Sequence, residues 1–300
     1  MRPPWTWLGQ RFYVMLDRVF DRAPVVFQAA WLGHMTSASV FIESNDPGLW
    51  QRAQQPDLAL LIANNPPPFP LTSSDAPPTA TDDWPYIYHL GHSIPRTYWT
   101  ISLLLLVIAV LAVGGAMEHR RASTWYFFFL GAGFLLLETQ MISRLALYFG
   151  TTWLVNCAAL SAILLVLVAA NLCVARWQPG RLDIFYALLI ASLFANYLFP
   201  WQNLPYGATA VGMLLSAAYS VPVFFAGIIF TDSFRRCAGK SSAFGANIVG
   251  AVLGGLAQNL SFVIGMKALL LVAAACYVLA GVCSLLESPG KAAVQVAAEG

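Results

Sequence analysis

Glu138, Gln140 and Arg144 stand inside a run that is otherwise apolar enough to lie in lipid. Ionisable and amide side chains in that setting are the first candidates for chemistry, because each is costly to bury without a partner. A carboxylate there can relay a proton or balance a cation, and an amide can hold a small polar ligand by hydrogen bonds. Glu138 and Arg144 are six residues apart, about 240° around a helix, so they do not pair on one face. Gln140, Arg144 and Tyr148, at i, i+4 and i+8, do share one. Asn156, Asn247, Gln258 and Asn259 complete a candidate intramembrane polar site, and Asn171 is a further single amide. Two readings are open. Each group bonds to a neighbouring helix or reaches toward the interface, or the set converges on a polar site within a bundle.

The run around Gly250 is the most patterned. Ala246, Gly250, Gly254 and Gln258 recur every four residues, and so do Asn247, Ala251, Gly255 and Asn259. Two adjacent ridges of small residues let helix backbones approach closely, with amides at the ends to bond across. Gly250, Gly254 and Gly255 are therefore the candidate packing positions, with an amide-lined groove as the alternative. Pro222, inside another apolar run, leaves a carbonyl unpaired and is a candidate kink.

Before the apolar half, Asp82 and Asp83 precede Trp84 and Pro85 in residues 81–86 (TDDWPY). Adjacent carboxylates ahead of Trp-Pro are read as turn and juxtamembrane docking residues rather than an acid/base pair. His89 and His92 lack a third ligand and do not make a metal site. No GxGxxG or P-loop follows a strand, no GxSxG or HExxH occurs, and Gly114, Gly115, Gly131 and Gly133 fall in lipid-type runs. Neither a cofactor nor a complete soluble active site is expected, and catalytic and metal residues are assigned to none. The five cysteines (Cys157, Cys173, Cys237, Cys276, Cys283) have neither metal-ligand spacing nor an even count and read as small apolar fillers.

These residues need elements to carry them, and composition says which. The chain is 58% hydrophobic and 10% charged with a mean hydropathy of +0.65, the balance of a polytopic membrane protein. A formal charge of +2 and a pI near 8.3, without a basic arm or acidic tail, exclude nucleic acid and name the lipid bilayer as partner. The opening residues 1–10 lack the pattern of a secretory signal, so insertion is expected to rely on internal helices. Seven runs reach about the 20 residues needed to cross a bilayer: 98–117, 124–149, 152–175, 182–199, 208–230, 242–263 and 266–286. Tyr98, Trp99, Trp125, Tyr126, Trp153, Trp177 and Trp201 mark their edges. The second run, carrying Glu138 and Arg144, is also compatible with a broken or re-entrant element.

Arg120, Arg121, Arg176, Arg181, Arg235, Arg236 and Lys240 fall in loops on one side, with Lys291 of the tail; the other side holds little beyond Arg96 and Lys267. The positive side is cytoplasmic. Seven crossings then place the C-terminus in the cytoplasm and residues 1–97 outside. In that first part, residues 11–20 have helical spacing at Phe12, Met15, Leu16 and Val19, and 25–27 and 39–42 are β-prone. Residues 25–42 carry Gln28, His34, Thr36, Ser37 and Ser39, which weigh against a span there. The proline-rich stretch 64–70 (NNPPPFP), continued by 73–78, reads as an extended linker.

Residues 81–86 (TDDWPY), 93–95 (SIP), 131–150 (GAGFLLLETQMISRLALYFG) with 152–156 (TWLVN), 222–230 (PVFFAGIIF), and 245–255 (GANIVGAVLGG) followed by 260–270 carry a resemblance. Together, over about 81–286, they resemble the C-terminal membrane portion of bacterial multi-pass spermidine-synthase-like proteins. The resemblance implies that a Rossmann-like domain of the S-adenosylmethionine-dependent aminopropyl- and methyltransferase type precedes the helices. Residues 11–42 are similar to its end, a last helix and closing strand pair. The family's cofactor loop and catalytic aspartates match no position here. The expected architecture is an all-α polytopic membrane bundle of about seven transmembrane helices after a small α/β remnant and a Pro-rich linker. Its parts are 1–62 as that remnant, 63–97 as linker and juxtamembrane segment, 98–286 as the helical domain and 287–300 as a tail.

The resemblance implies a bacterial inner-membrane module, not catalytic alone, that anchors or passes a small substrate to a catalytic chain. A domain using S-adenosylmethionine belongs in the cytoplasm, whereas the loop charges place the N-terminus outside; both sides stay open. A transporter-like small-molecule binder built on the polar set, and a structural subunit packed against other membrane subunits, are the alternatives.

Overall fold

The computed structural model describes residues 6–30, 37–46, 48–72, 76–113, 122–150 and 152–298. His34, Thr36, Gly114, Gly115, Arg120 and Arg121 lie outside them. The chain divides into two compact units, residues 1–92 and 93–300.

The first unit opens with helix α1 (Thr6–Phe20) and an antiparallel hairpin, β1 (Val25–Ala30) and β2 (Ser37–Ile42), in the register Val25 to Ile42 and Ala30 to Ser37. Helix, strand, strand is the order that the residue pattern implies. Two short helices follow, α2 (Gly48–Ala53) and α3 (Pro56–Asn64), which periodicity did not announce. Pro56 starts α3, a position where its missing N–H costs nothing. Gln10, Arg11 and Val14 make the buried face of α1. The proline-rich stretch packs against it: Phe69 is buried, stacks on Phe41 at 5.8 Å between ring centroids, and lies where a side chain on Gly9 would stand. Gln10 Nε2 donates to the Thr72 carbonyl at 3.0 Å. The segment read as a linker thus contributes core to this unit, which runs on to His92.

The second unit is helical: α4 (Arg96–Val113), α5 (Ala122–Phe149), α6 (Trp153–Trp177), α7 (Asp183–Leu198), α8 (Ala208–Arg236), α9 (Lys240–Ala257), α10 (Ser261–Ile264) and α11 (Leu269–Ala298). Five are long and apolar enough to cross a membrane: α5, α6, α8, the α9–α10 run and α11. α4 and α7 are apolar but counted among the shorter helices. Continuous helix runs through Glu138 and Arg144 in α5 and through Pro222 in α8. Gly150 ends α5 and Gly265 ends α10, each at positive φ (82° and 84°), the conformation a Cβ disfavours.

α5 is the hub, and its sequence shows why. Phe128, Ala132, Leu135 and Thr139, spaced by four, three and four, face α9 and its extension, while Tyr126, Gly133 and Gln140, spaced by seven, face α8, α11 and the loop before α11. The small ridge of α9 sets the contact distance. A Cβ on Gly250 would stand 1.9 Å from the Phe128 carbonyl oxygen and one on Gly254 2.0 Å from that of Ala132. From the α5 side, a Cβ on Gly131 would stand 2.1 Å from the Asn247 carbonyl oxygen. Backbone therefore meets backbone along two turns. Gly255 meets only the Leu135 side chain, at 3.1 Å.

Candidate functional site

The amides of the bundle sit at two levels. Asn247 Nδ2 donates to the Phe127 carbonyl at 3.2 Å, near the start of α5. Gln258 Nε2 lies 3.3 Å from Ser143 Oγ, and its Oε1 accepts from Thr139 Oγ1 at 3.5 Å, near the end of α5. Eleven residues of α9 and its extension, about 16 Å at 1.5 Å per residue, separate those two fasteners. Asn259 Nδ2 donates to Ser102 Oγ at 3.0 Å and ties α4 to the end of α9. Gln140, fully buried, donates Nε2 to the Met266 carbonyl at 2.7 Å and ties α5 to the loop before α11. Each bond satisfies a side-chain amide that lipid would leave unpaired and ties two elements together.

Arg144 is buried on the same face as Gln140, as their spacing implies, with Tyr148 half-buried one turn on. Asn156 is exposed near the start of α6 and joins none of these bonds. Glu138 is half-buried about 4 Å past the middle of α5 and has neither a hydrogen bond nor an ion pair among the described residues. The structure therefore brings together Gln258 with Thr139 and Ser143, and Gln140 with the α11 loop. It does not gather Glu138, Asn156 and Asn247 around one cavity among the described residues.

Two further polar groupings escaped the sequence reading. Tyr126 OH is 2.6 Å from Ser233 Oγ and accepts from Tyr186 OH at 3.2 Å, which joins α5, α7 and α8 through hydroxyls. Asp232, fully buried near the end of α8, is ion-paired with Arg235 at 2.8 Å and Arg236 at 2.7 Å. An acid followed by bases at i+3 and i+4 is a readable signal, but it sits at the end of an apolar run where only the arginines were weighed.

In the first unit the TDDWPY segment folds back on itself. Thr81 and Trp84 exchange backbone bonds at 3.1 and 3.0 Å, and the Trp84 N–H also reaches Thr81 Oγ1 at 3.0 Å. Trp84 is buried, Asp82 exposed, and Asp83 and Pro85 half-buried. The Arg11 guanidinium lies over the rings of Trp7 (5.1 Å) and Trp84 (5.7 Å) and donates to the Tyr86 and Ile87 carbonyls. Burial holds its pKa below the ordinary arginine value. His89 and His92 pack on the Trp84 indole, His92 at 4.6 Å between centroids. This segment is a docked turn whose anchor is an arginine between two indoles; among the described residues no group of three or more metal-ligating side chains occurs.

The long apolar helices and their mutual fasteners fit a multi-pass helical membrane protein. No family model, curated protein or solved structure matches the chain.

Proposed function

We propose that the chain is the membrane-embedded module of a spermidine-synthase-like system, without transferase activity alone, which anchors a separate catalytic chain or passes it a small substrate. The observation that carries the anchoring role is the use of the intramembrane amides. Gln140, Asn247, Gln258 and Asn259 are spent on fastening helices to each other, Asn247 near the start of α5 and the other three near its far end, as suits a rigid scaffold. A second feature supports a partner. Among the described residues the sheet of the first unit has two strands. The Gln28 N–H on the outer side of β1 reaches the Asn65 carbonyl, while the outer edge of β2 pairs with no backbone among the described residues. Two strands alone are marginal in water and an open edge is a template for another strand. In this reading α4 and α7 also cross, giving seven spans, and the end carrying the loop arginines faces the cytoplasm of a bacterial inner membrane.

Extraction of the tagged chain in mild detergent tests the proposal. A co-eluting protein with an S-adenosylmethionine-binding loop is the expected result. Saturable binding of S-adenosylmethionine by the purified chain alone overturns it. One observation favours a transporter-like binder instead: Glu138, mid-helix and without a hydrogen bond or ion pair among the described residues. Unchanged ligand uptake after Glu138→Gln removes that alternative.

A further inference from the structure

At the end of the bundle where α6 and α8 finish, the loops and helix ends carry five cations: Arg176, Arg181, Arg235, Arg236 and Lys240. The carboxylates of the α6–α7 and α8–α9 loops and the helix ends that flank them are Asp183 and Asp232. Asp183 is exposed at the start of α7. Asp232 is fully buried and already committed to Arg235 and Arg236. Arg236 also donates to the Pro179 carbonyl, three residues beyond Arg176, which pins the end of α8 to the α6–α7 loop. Thr231 bonds Asn171, and Ala170, Val174 and Ile228 pack together, so α6 and α8 are locked side by side up to that loop. The cations at the helix C-termini also complement the dipole. Arg176 and Arg181 have exposed side chains with no hydrogen bond or ion pair among the described residues. By contrast, the corresponding described residues at the opposite end are Arg96 and Lys267, the latter lying over the Tyr197 ring at 5.5 Å.

Beside this loop the last turns of α6 border an open crevice of about 600 Å³, lined by Leu172, Cys173, Ala175, Arg176 and Trp177. Its wall is apolar along the helix and ends in a guanidinium and an indole that is 75% exposed. An apolar wall that gives way at the helix end to a free arginine and an interfacial tryptophan matches the division of a phospholipid into an acyl chain and an anionic headgroup region. We propose that this crevice binds an anionic phospholipid, its headgroup on Arg176 with Arg181 of the adjoining loop and an acyl chain along Leu172 and Cys173. Charge complementarity selects an anionic over a zwitterionic headgroup, and the apolar wall selects a lipid over free phosphate. The inference rests on the helices crossing a membrane, not on the existence of a catalytic partner.

The test is native mass spectrometry of the full chain in mild detergent, with phosphatidylglycerol or phosphatidylcholine of identical acyl chains added at equal concentration. The expected result is a retained phosphatidylglycerol adduct, weakened roughly ten- to thirtyfold in Arg176→Gln/Arg181→Gln by loss of two interfacial charges. The pair Arg176→Lys/Arg181→Lys should keep most of the preference, and Arg96→Gln should leave it unchanged. Equal retention of the two lipids by the unaltered chain overturns the proposal, and needs no variant to fold. So does an adduct that survives the glutamine pair intact, or one that inorganic phosphate alone displaces as well as the lipid does. Loss of lipid preference leaves the co-purification result untouched, so the two proposals fail separately.

Discussion

Gly254→Ala is the substitution on which the packing of the bundle turns. Its new methyl would stand 2.0 Å from the Ala132 carbonyl oxygen, 2.7 Å from that carbonyl carbon and 2.8 Å from the Ala132 Cα. An ordinary contact needs about 3.4 Å, and the obstacle is backbone inside a helix, which has no rotamer to give. α9 must therefore move from α5 by more than an ångström. The Asn247–Phe127 and Gln258–Ser143 bonds, already at 3.2 and 3.3 Å, then pass out of range. Overpacking of this kind costs about 1–3 kcal/mol, and each interhelical bond lost in a membrane adds about 0.6 kcal/mol, for roughly 2–4 kcal/mol in all. Gly250→Ala, with its methyl 1.9 Å from the Phe128 carbonyl oxygen, should cost a similar amount. Gly255→Ala, opposed by the movable Leu135 side chain at 3.1 Å, should cost under about 1 kcal/mol. Gly281→Ala, whose nearest neighbour is Tyr186 at 3.9 Å, should be neutral or slightly stabilising through helix propensity. Reversible unfolding of the detergent-solubilised protein by a denaturing detergent measures all four. If Gly254→Ala unfolds at the same midpoint as Gly281→Ala, the close approach of α5 and α9 is wrong.

Trp84→Ala should loosen the first unit by about 3–5 kcal/mol, since it removes a buried indole and one of the two rings on Arg11. Limited proteolysis of the intact protein should then cut within residues 1–92 at much lower protease, and an unchanged cleavage pattern would count against the docked turn. Gln140→Leu removes the bond to the Met266 carbonyl and should destabilise by about 1 kcal/mol, whereas Asn156→Leu, at an exposed position of α6, should be close to neutral. Equal midpoints for those two variants in the same unfolding assay would show that Gln140 is not a fastener.

What the residues determined on their own was local. Apolar length and aromatic edges located the helices, as α5, α6, α8 and α11 show, because lipid admits only backbone that bonds to itself. Period told which residues share a face, so the glycine ridge on α9 and the Gln140–Arg144 pair were visible before any partner was known. The order of helix and two strands at the start followed from side-chain spacing in the same way.

Only the tertiary structure decided which faces meet. Without a strong hydrophobic bias between helices in lipid, the choice of neighbour depends on shape and on a few bonds between residues more than a hundred positions apart. That is why the glycine ridge could not be assigned to Phe128 and Ala132, why Gln140 could not be matched to Met266, and why Asn156, an equally plausible amide, turns out exposed. It is also why residues 64–70, extended by composition, could be read as a linker although Phe69 belongs to a core. Proline sets the backbone, but whether one phenylalanine finds a stacking partner in Phe41 and room beside Gly9 is settled by the packing of three distant segments.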